Sequence, residues 1–130
     1  MEKRSAAIII REEKILLMHR LRGGLEYYAV PGGMIEEKET PETAAIREVK
    51  EETNLDVKLG KLFFEFEGIR GREYFFLAES ILGKSKFGGP ELERNCEENF
   101  YELAWIELAQ LSKIKLYPSE IKKEIMEKLV

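Results

Sequence analysis

The chain has 130 residues, enough for one ordinary domain and too few for two. Hydrophobic residues make up 44%, so a core can form without disulfide or metal staples. Its 21 basic residues against 25 acidic ones leave a net charge of −4, which argues against a binder of duplex nucleic acid but not against an anionic substrate beside a metal ion. Residues 4–11 (RSAAIIIR) read as a short buried strand bounded by charge. Glu12-Glu13 is a turn, and Lys14–His19 is the hairpin partner. Residues 20–26 read as loop, with Gly23-Gly24 as breaker, and Tyr27–Val30 as a strand ending at Pro31-Gly32-Gly33. Two glycines after a proline imply a sharp turn or a close backbone approach. Thr40 and Pro41 open a helix as N-cap and first residue, and it runs through Thr53 to a left-handed cap at Asn54. Residues 55–66 form one or two strands broken near Gly60, residues 68–71 a turn, 72–81 a long apolar strand and 83–99 a long polar loop. A last strand over 100–106 and helical pieces over 107–112 and 118–129 complete a mixed sheet with helices packed on it, one domain over 1–130. Ile121, Ile125 and Leu129 form a packing stripe, and Trp105 reads as core. The lone Cys96 can make no intramolecular disulfide, and no apolar run reaches membrane length, so a soluble cytoplasmic protein is expected.

The informative element is the helix. At 100° per residue, Glu48, Glu51 and Glu52 fall within an arc of about 100°. Ile46, Val49 and Thr53 occupy the neighbouring arc and can face the core, while Ala44 and Ala45 leave room over the acidic stripe. Arg47, four residues before Glu51, can pair with it at the stripe's edge. Like charges at these spacings weaken a helix by a few tenths of a kcal/mol per pair (about 0.2–0.5). Such a cluster is either a solvated surface or a set of hard oxygen ligands, which suit Mg²⁺ or Mn²⁺ and not zinc.

The context distinguishes these readings. Gly33, five residues, Glu39, seven residues, then Arg47-Glu48-Val49-Lys50-Glu51-Glu52-Thr53-Asn54-Leu55 resembles the Nudix box of the Nudix hydrolases. Asn54 stands where that family has Gly, a change that a left-handed cap tolerates. The resemblance implies a mixed α/β/α sandwich within the α/β (α+β) class, and hydrolysis of a pyrophosphate bond in a nucleoside diphosphate derivative, with Mg²⁺ held by box glutamates and Mn²⁺ an acceptable replacement. Glu48 and Glu52, then Glu51, are the implied ligands, with the Gly33 carbonyl and Glu39 nearby. Arg47 would orient the glutamates. Glu52 is favoured to take the proton from water, and Glu98, in the loop before the last strand, is the alternative.

Other candidates lie outside the box. Arg20, beside His19 and Arg22, and the Gly32-Gly33 backbone are placed to meet phosphate, and Arg70 and Arg72 are weaker choices. Tyr28 heads a set of strand aromatics (Tyr27, Phe64, Phe66, Tyr74, Phe76) of which one or two would stack a base. The expected partner is a small nucleotide, with neither duplex nucleic acid nor membrane, and the protein a monomer or homodimer. The rival reading is a Nudix-fold binding or regulatory module without catalysis. Such modules usually lose box glutamates, and all four are present here.

Overall fold

The run RSAAIIIR does not stay in one strand. In the computed structural model, which describes residues 2–82 and 99–130, it divides at Ile9 into β1 (Lys3–Ile8) and β2 (Ile10–Arg11), which belong to different sheets. The described residues group into two units, 2–9 with 31–82 and 10–30 with 99–130. The fold is the mixed-sheet α+β class expected from the sequence.

In the first unit β1 lies between β5 (Gly32–Met34), antiparallel to it, and β7 (Gly71–Leu82), parallel to it. The strand β6 (Asp56–Gly68) closes the sheet on the far side of β7, giving the order β5-β1-β7-β6. The expected break near Gly60 is a set of register shifts between Lys58 and Phe64 within one 13-residue strand. A bulged edge of this kind twists away from edge-to-edge pairing. Gly71, at φ +107°, ends the tight turn after β6. A Cβ there would strike the Glu2 carbonyl, so no side chain fits. The helix α1 (Pro41–Thr53) packs on β1, where the buried Ser5 hydroxyl donates to the Pro41 carbonyl at 2.6 Å. Ala7, Ile8, Val49, Leu55, Phe75 and Phe76 are among the buried residues of this unit.

In the second unit β3 (Lys14–Arg22) is central. The strand β8 (Asn99–Glu107) runs along its whole length, and β2 and β4 (Leu25–Ala29) pair with its two ends. Residues 20–26 are therefore not a loop. Gly23 and Gly24, at φ +57° and +84°, make a two-residue hairpin turn that lets β3 continue to Arg22. Glu12 and Glu13 make the other expected turn, also at positive φ. A 3-10 turn (Leu108–Lys113), the short β9 (Leu116–Tyr117) beside β4 and α2 (Ser119–Lys128) follow. The sequence carries no strand signal for β9. Ile121 and Ile125 are buried as expected, whereas Leu129 and Trp105 are only half-buried. Among the described residues no helix is long and apolar enough to cross a membrane. Cys96, Glu97 and Glu98 lie outside the described residues.

Candidate active site

The box helix forms for local reasons. The Thr40 side chain accepts from the Thr43 amide at 3.1 Å, and the Thr43 hydroxyl accepts from the Thr40 amide at 3.0 Å, a reciprocal cap in which threonine takes the usual glutamate's place. Asn54 ends the helix at φ 64°, ψ 18°, donating its amide to the Lys50 carbonyl. The core face is Ala44, Ala45, Val49 and Thr53. This corrects two expectations. Ala44 and Ala45 are fully buried and leave no space above the acidic stripe, because they belong to the face on which the helix packs. Ile46 is 37% exposed and lies off the core face.

The acids gather on Arg47. Its Nε and Nη2 donate to the two Glu39 oxygens at 2.7 and 3.0 Å. Its Nη1 donates to Glu48 at 3.0 Å and to Glu51 at 3.2 Å, and Nη2 also donates to the Met34 carbonyl at 3.0 Å. Glu36 stands 3.9 Å away. The Arg47 hydrogen bonds, then the one with the Glu36 backbone, hold the Glu39 carboxyl below the ordinary carboxylate range, and Glu39, then Glu48, push the guanidinium further up. Glu39 and Glu48 are mostly covered, whereas Glu51 is exposed. Arg47 thus hydrogen-bonds three of the glutamates at once. The roles of Glu36 and the Met34 carbonyl have no sequence signal, since both lie outside the spaced motif.

Glu52 joins the helix to the glycine turn. Its Oε1 accepts from the Gly32 amide at 2.9 Å. The two glycines differ in what they approach. A Cβ on Gly33 would fall onto the Glu48 carboxylate, and one on Gly32 would strike the Ser5 carbonyl and Ala6 of β1. Glu48 has a flexible end and can swing aside, but the β1 backbone cannot. Gly33→Ala should therefore leave thermal stability within about 1 kcal/mol of wild type while displacing Glu48. Gly32→Ala should cost roughly 2–3 kcal/mol, read by denaturant titration of the two variants side by side.

The donor set suits a hard dication. Glu36, Glu39, Glu48, Glu51 and Glu52 outnumber the one guanidinium among them, all offer oxygen, and the missing Cβ at Gly33 makes room for the Glu48 carboxylate. Among the described residues no three of these side chains already converge as ligands. Glu39, Glu48 and Glu51 lean on Arg47, and side-chain rotation would have to turn them inward.

The candidates outside the box divide. Arg70 is held by two hydrogen bonds to the buried Glu73 at 3.0 and 2.7 Å, and Arg72 pairs with Glu65 and, at 3.6 Å, with Glu67. Both are neutralised within their own sheet, which weakens them as phosphate ligands. Phe64, Phe66 and Phe75 form a ring cluster with centroids 5.4–6.5 Å apart. Phe76 is buried and Tyr74 half-buried. His19 is not part of a basic strand end. It lies between Glu26 at 2.6 Å and Glu102 at 3.3 Å and stacks on Tyr28 at 4.5 Å. Burial, then Glu26 and Glu102, raise the Tyr28 hydroxyl above its ordinary pKa. Tyr28 is thus engaged within its own sheet. Arg20 lies over the Tyr101 ring at 5.3 Å, a partner visible only once the strand register is known.

The NUDIX domain family model matches residues 1–129. Diphosphoinositol polyphosphate phosphohydrolase 3-alpha of Mus musculus is 38% identical over 76 residues, 56% of this chain and 46% of the relative, so the chain spans about half the length of such relatives. A MutT NUDIX hydrolase from Burkholderia pseudomallei superimposes with a TM-score of 0.75 at 23% identity, covering 99% of this chain and 98% of that one. An ADP-ribose pyrophosphatase from Streptococcus suis does so with a TM-score of 0.67 at 22% identity, over 97% and 90%. Those two likenesses speak to fold, and the family match, which takes in the glycine turn, Arg47 and its glutamates, speaks to descent: the chain belongs to the NUDIX domain family.

Proposed function

We propose that this chain, as one domain over residues 1–130, is a Mg²⁺-dependent hydrolase of a pyrophosphate bond in a nucleoside diphosphate derivative, with Mn²⁺ able to replace Mg²⁺. The observation that carries the reading is the gathering of Glu39, Glu48 and Glu51 on one guanidinium while Glu52 reaches the Gly32 amide. Glu48, Glu52 and Glu51, with the Gly33 carbonyl and Glu39 in support, would hold the cation. When bound it supplies charge neutralisation and polarises a phosphoryl oxygen. The chain's own part is positioning and proton transfer. Water oxygen bonds to phosphorus as the bridging P–O bond breaks, the water proton goes to the Glu52 carboxylate, and the bridging oxygen leaves as phosphate. Glu98 is the alternative acceptor. Arg47 would hold Glu39, Glu48 and Glu51 together until the cation takes their charge.

Nucleotides are favoured over more highly phosphorylated substrates by the company the cations keep. Arg47, Arg70 and Arg72 are each matched to carboxylates, while half-buried aromatics offer faces for a base. The relatives named for diphosphoinositol polyphosphates make those compounds the informative competitor. The same reading has the protein working in the cytoplasm as a monomer or homodimer, without membrane or duplex nucleic acid. A panel of nucleoside triphosphates, ADP-ribose, dinucleoside polyphosphates and a diphosphoinositol polyphosphate, each with Mg²⁺ and with EDTA, tests it. Cleavage of a nucleotide that EDTA abolishes is expected. Cleavage confined to the inositol compound would overturn the substrate class, and binding without cleavage would favour the non-catalytic module.

A further inference from the structure

Among the described residues the buried polar or charged side chains are those of Ser5, Thr53 and Glu73. Two of them are satisfied close by in the chain. Thr53 donates to the Val49 carbonyl at 2.7 Å and accepts from the Leu55 amide at 3.1 Å, and Glu73 accepts from Arg70. Ser5 instead reaches from one layer to the next. Its hydroxyl, 1% exposed, donates to the Pro41 carbonyl at 2.6 Å, 36 residues along the chain. A hydroxyl is costly to bury unless it is paired, and alanine, which follows at positions 6 and 7, fills nearly the same space without that demand. The bond to Pro41 is therefore what a serine contributes at this point of β1.

The register puts that bond at the joint of the site. Ser5 is the cross-strand partner of Gly33, so the two share the face of the sheet that looks toward α1, where a Cβ on Gly33 would fall onto the Glu48 carboxylate. The Ser5 carbonyl leaves no room for a Cβ on Gly32. One residue thus meets the glycine turn with its backbone and the start of the box helix with its side chain. Glu52 makes a second tie near the other end of the helix, accepting from the Gly32 amide at 2.9 Å. The two ties are not equivalent. Glu52 is a poor fixed point, because its carboxylate changes charge in the proposed reaction, whereas the serine takes no part in it. The apolar face between them, Ala44, Ala45 and Val49, packs without directional preference. A hydrogen bond is directional, and a slide of the helix by one residue's rise, about 1.5 Å, would break it. We infer that Ser5 is a positioning residue that fixes the axial register of the box helix against the glycine turn, and with it the places of Glu48 and Glu52. The inference rests on the proposed function for the reaction those glutamates serve, and not for the register itself.

The test compares wild type with Ser5→Ala, which removes the donor, and Ser5→Cys, which keeps a weaker one. The first readout needs neither metal nor substrate. NMR follows the Gly32 amide, which reports the Glu52 contact, and the side-chain carboxyl carbons of Glu48 and Glu52. Ser5→Ala should displace all three signals, and Ser5→Cys should fall between it and wild type. The second readout is turnover of the nucleotide found with the substrate panel: kcat should fall about tenfold in Ser5→Ala and less in Ser5→Cys, with KM within about twofold of wild type. Both are read well below each variant's melting temperature, so lost stability alone moves neither, and Ser5→Cys serves if Ser5→Ala does not fold. Unmoved signals, or a kcat that stays at the wild-type value, overturn the inference. Displaced signals in a protein whose wild type cleaves no nucleotide would overturn the proposed function and leave the register role of Ser5 standing.

Discussion

Glu52→Gln is expected to lower turnover of the nucleotide substrate by about 10²–10⁴-fold with little change in melting temperature. Glutamine keeps an oxygen that can accept from the Gly32 amide, now at 2.9 Å from Glu52, so the tie between helix and glycine turn survives. What disappears is one negative charge and the capacity to take a proton. Glu51→Gln makes a useful companion. Glu51 is 58% exposed and touches Arg47 through one oxygen at 3.2 Å, so its loss should cost less than that of Glu52. The measurement is kcat at saturating Mg²⁺ with product identification, beside thermal denaturation. A Glu52→Gln enzyme within threefold of wild type would take the proton-accepting role off the helix, and Glu98→Gln would become the decisive variant.

The helix that carries these groups was legible because its signals are local. Thr40, Pro41 and Asn54 satisfy or tolerate their own backbone geometry whatever the rest of the chain does, and the helix runs Pro41–Thr53 as expected. The strands were less legible where the answer depends on pairing. Nothing in RSAAIIIR marks Ile9 as the point where one sheet is left for another, since isoleucine stands on either side of it. Gly23-Gly24 reads equally as loop or as hairpin, and only the match of β3 to β4 over Met18–Arg22 decides for the hairpin. The two-residue β9 is too short to carry a periodicity.

The site divides in the same way. The spacing from Gly33 through Glu52 identified the residues that meet, because a fixed helix and a fixed turn convert spacing into proximity. It could not show that Arg72 is consumed by Glu65, because that pair forms across the hairpin, or that the turn brings Arg70 back onto Glu73. Nor could it separate His19 from Arg20. Adjacent residues on a strand face opposite ways, and which neighbours each acquires depends on the register of two other strands. Ala44 and Ala45 show the converse error. Small residues beside a functional stripe suggest space for a ligand, but here they are buried with Val49 and Thr53 on the helix's core face.

Arg47→Met should produce the largest loss of stability among single substitutions in the box. It removes five hydrogen bonds, leaves the Met34 carbonyl without this donor and sets Glu39, Glu48 and Glu51 against one another. Glu51 is well solvated and contributes little, whereas the mostly covered Glu39 and Glu48 contribute more, so the cost is about 1–3 kcal/mol, or roughly 5–15 °C in Tm. Its pH dependence separates charge from packing. In the wild type Arg47 holds the Glu39 carboxyl below its ordinary value of 4.5. A depressed carboxyl stabilises the fold fully above that ordinary value, and the stabilisation is lost as pH falls through the lowered one. In Arg47→Met the depression is gone, so the stability gap between the two proteins should be widest near neutral pH and narrow steadily below pH 4.5. Mg²⁺ should raise the melting temperature of the variant more than that of the wild type, because a cation among the carboxylates then relieves a repulsion that the guanidinium already relieves. A gap that is the same at every pH, and indifferent to Mg²⁺, would mean that the Arg47 side chain stabilises through its packing and that the acids around it do not depend on its charge.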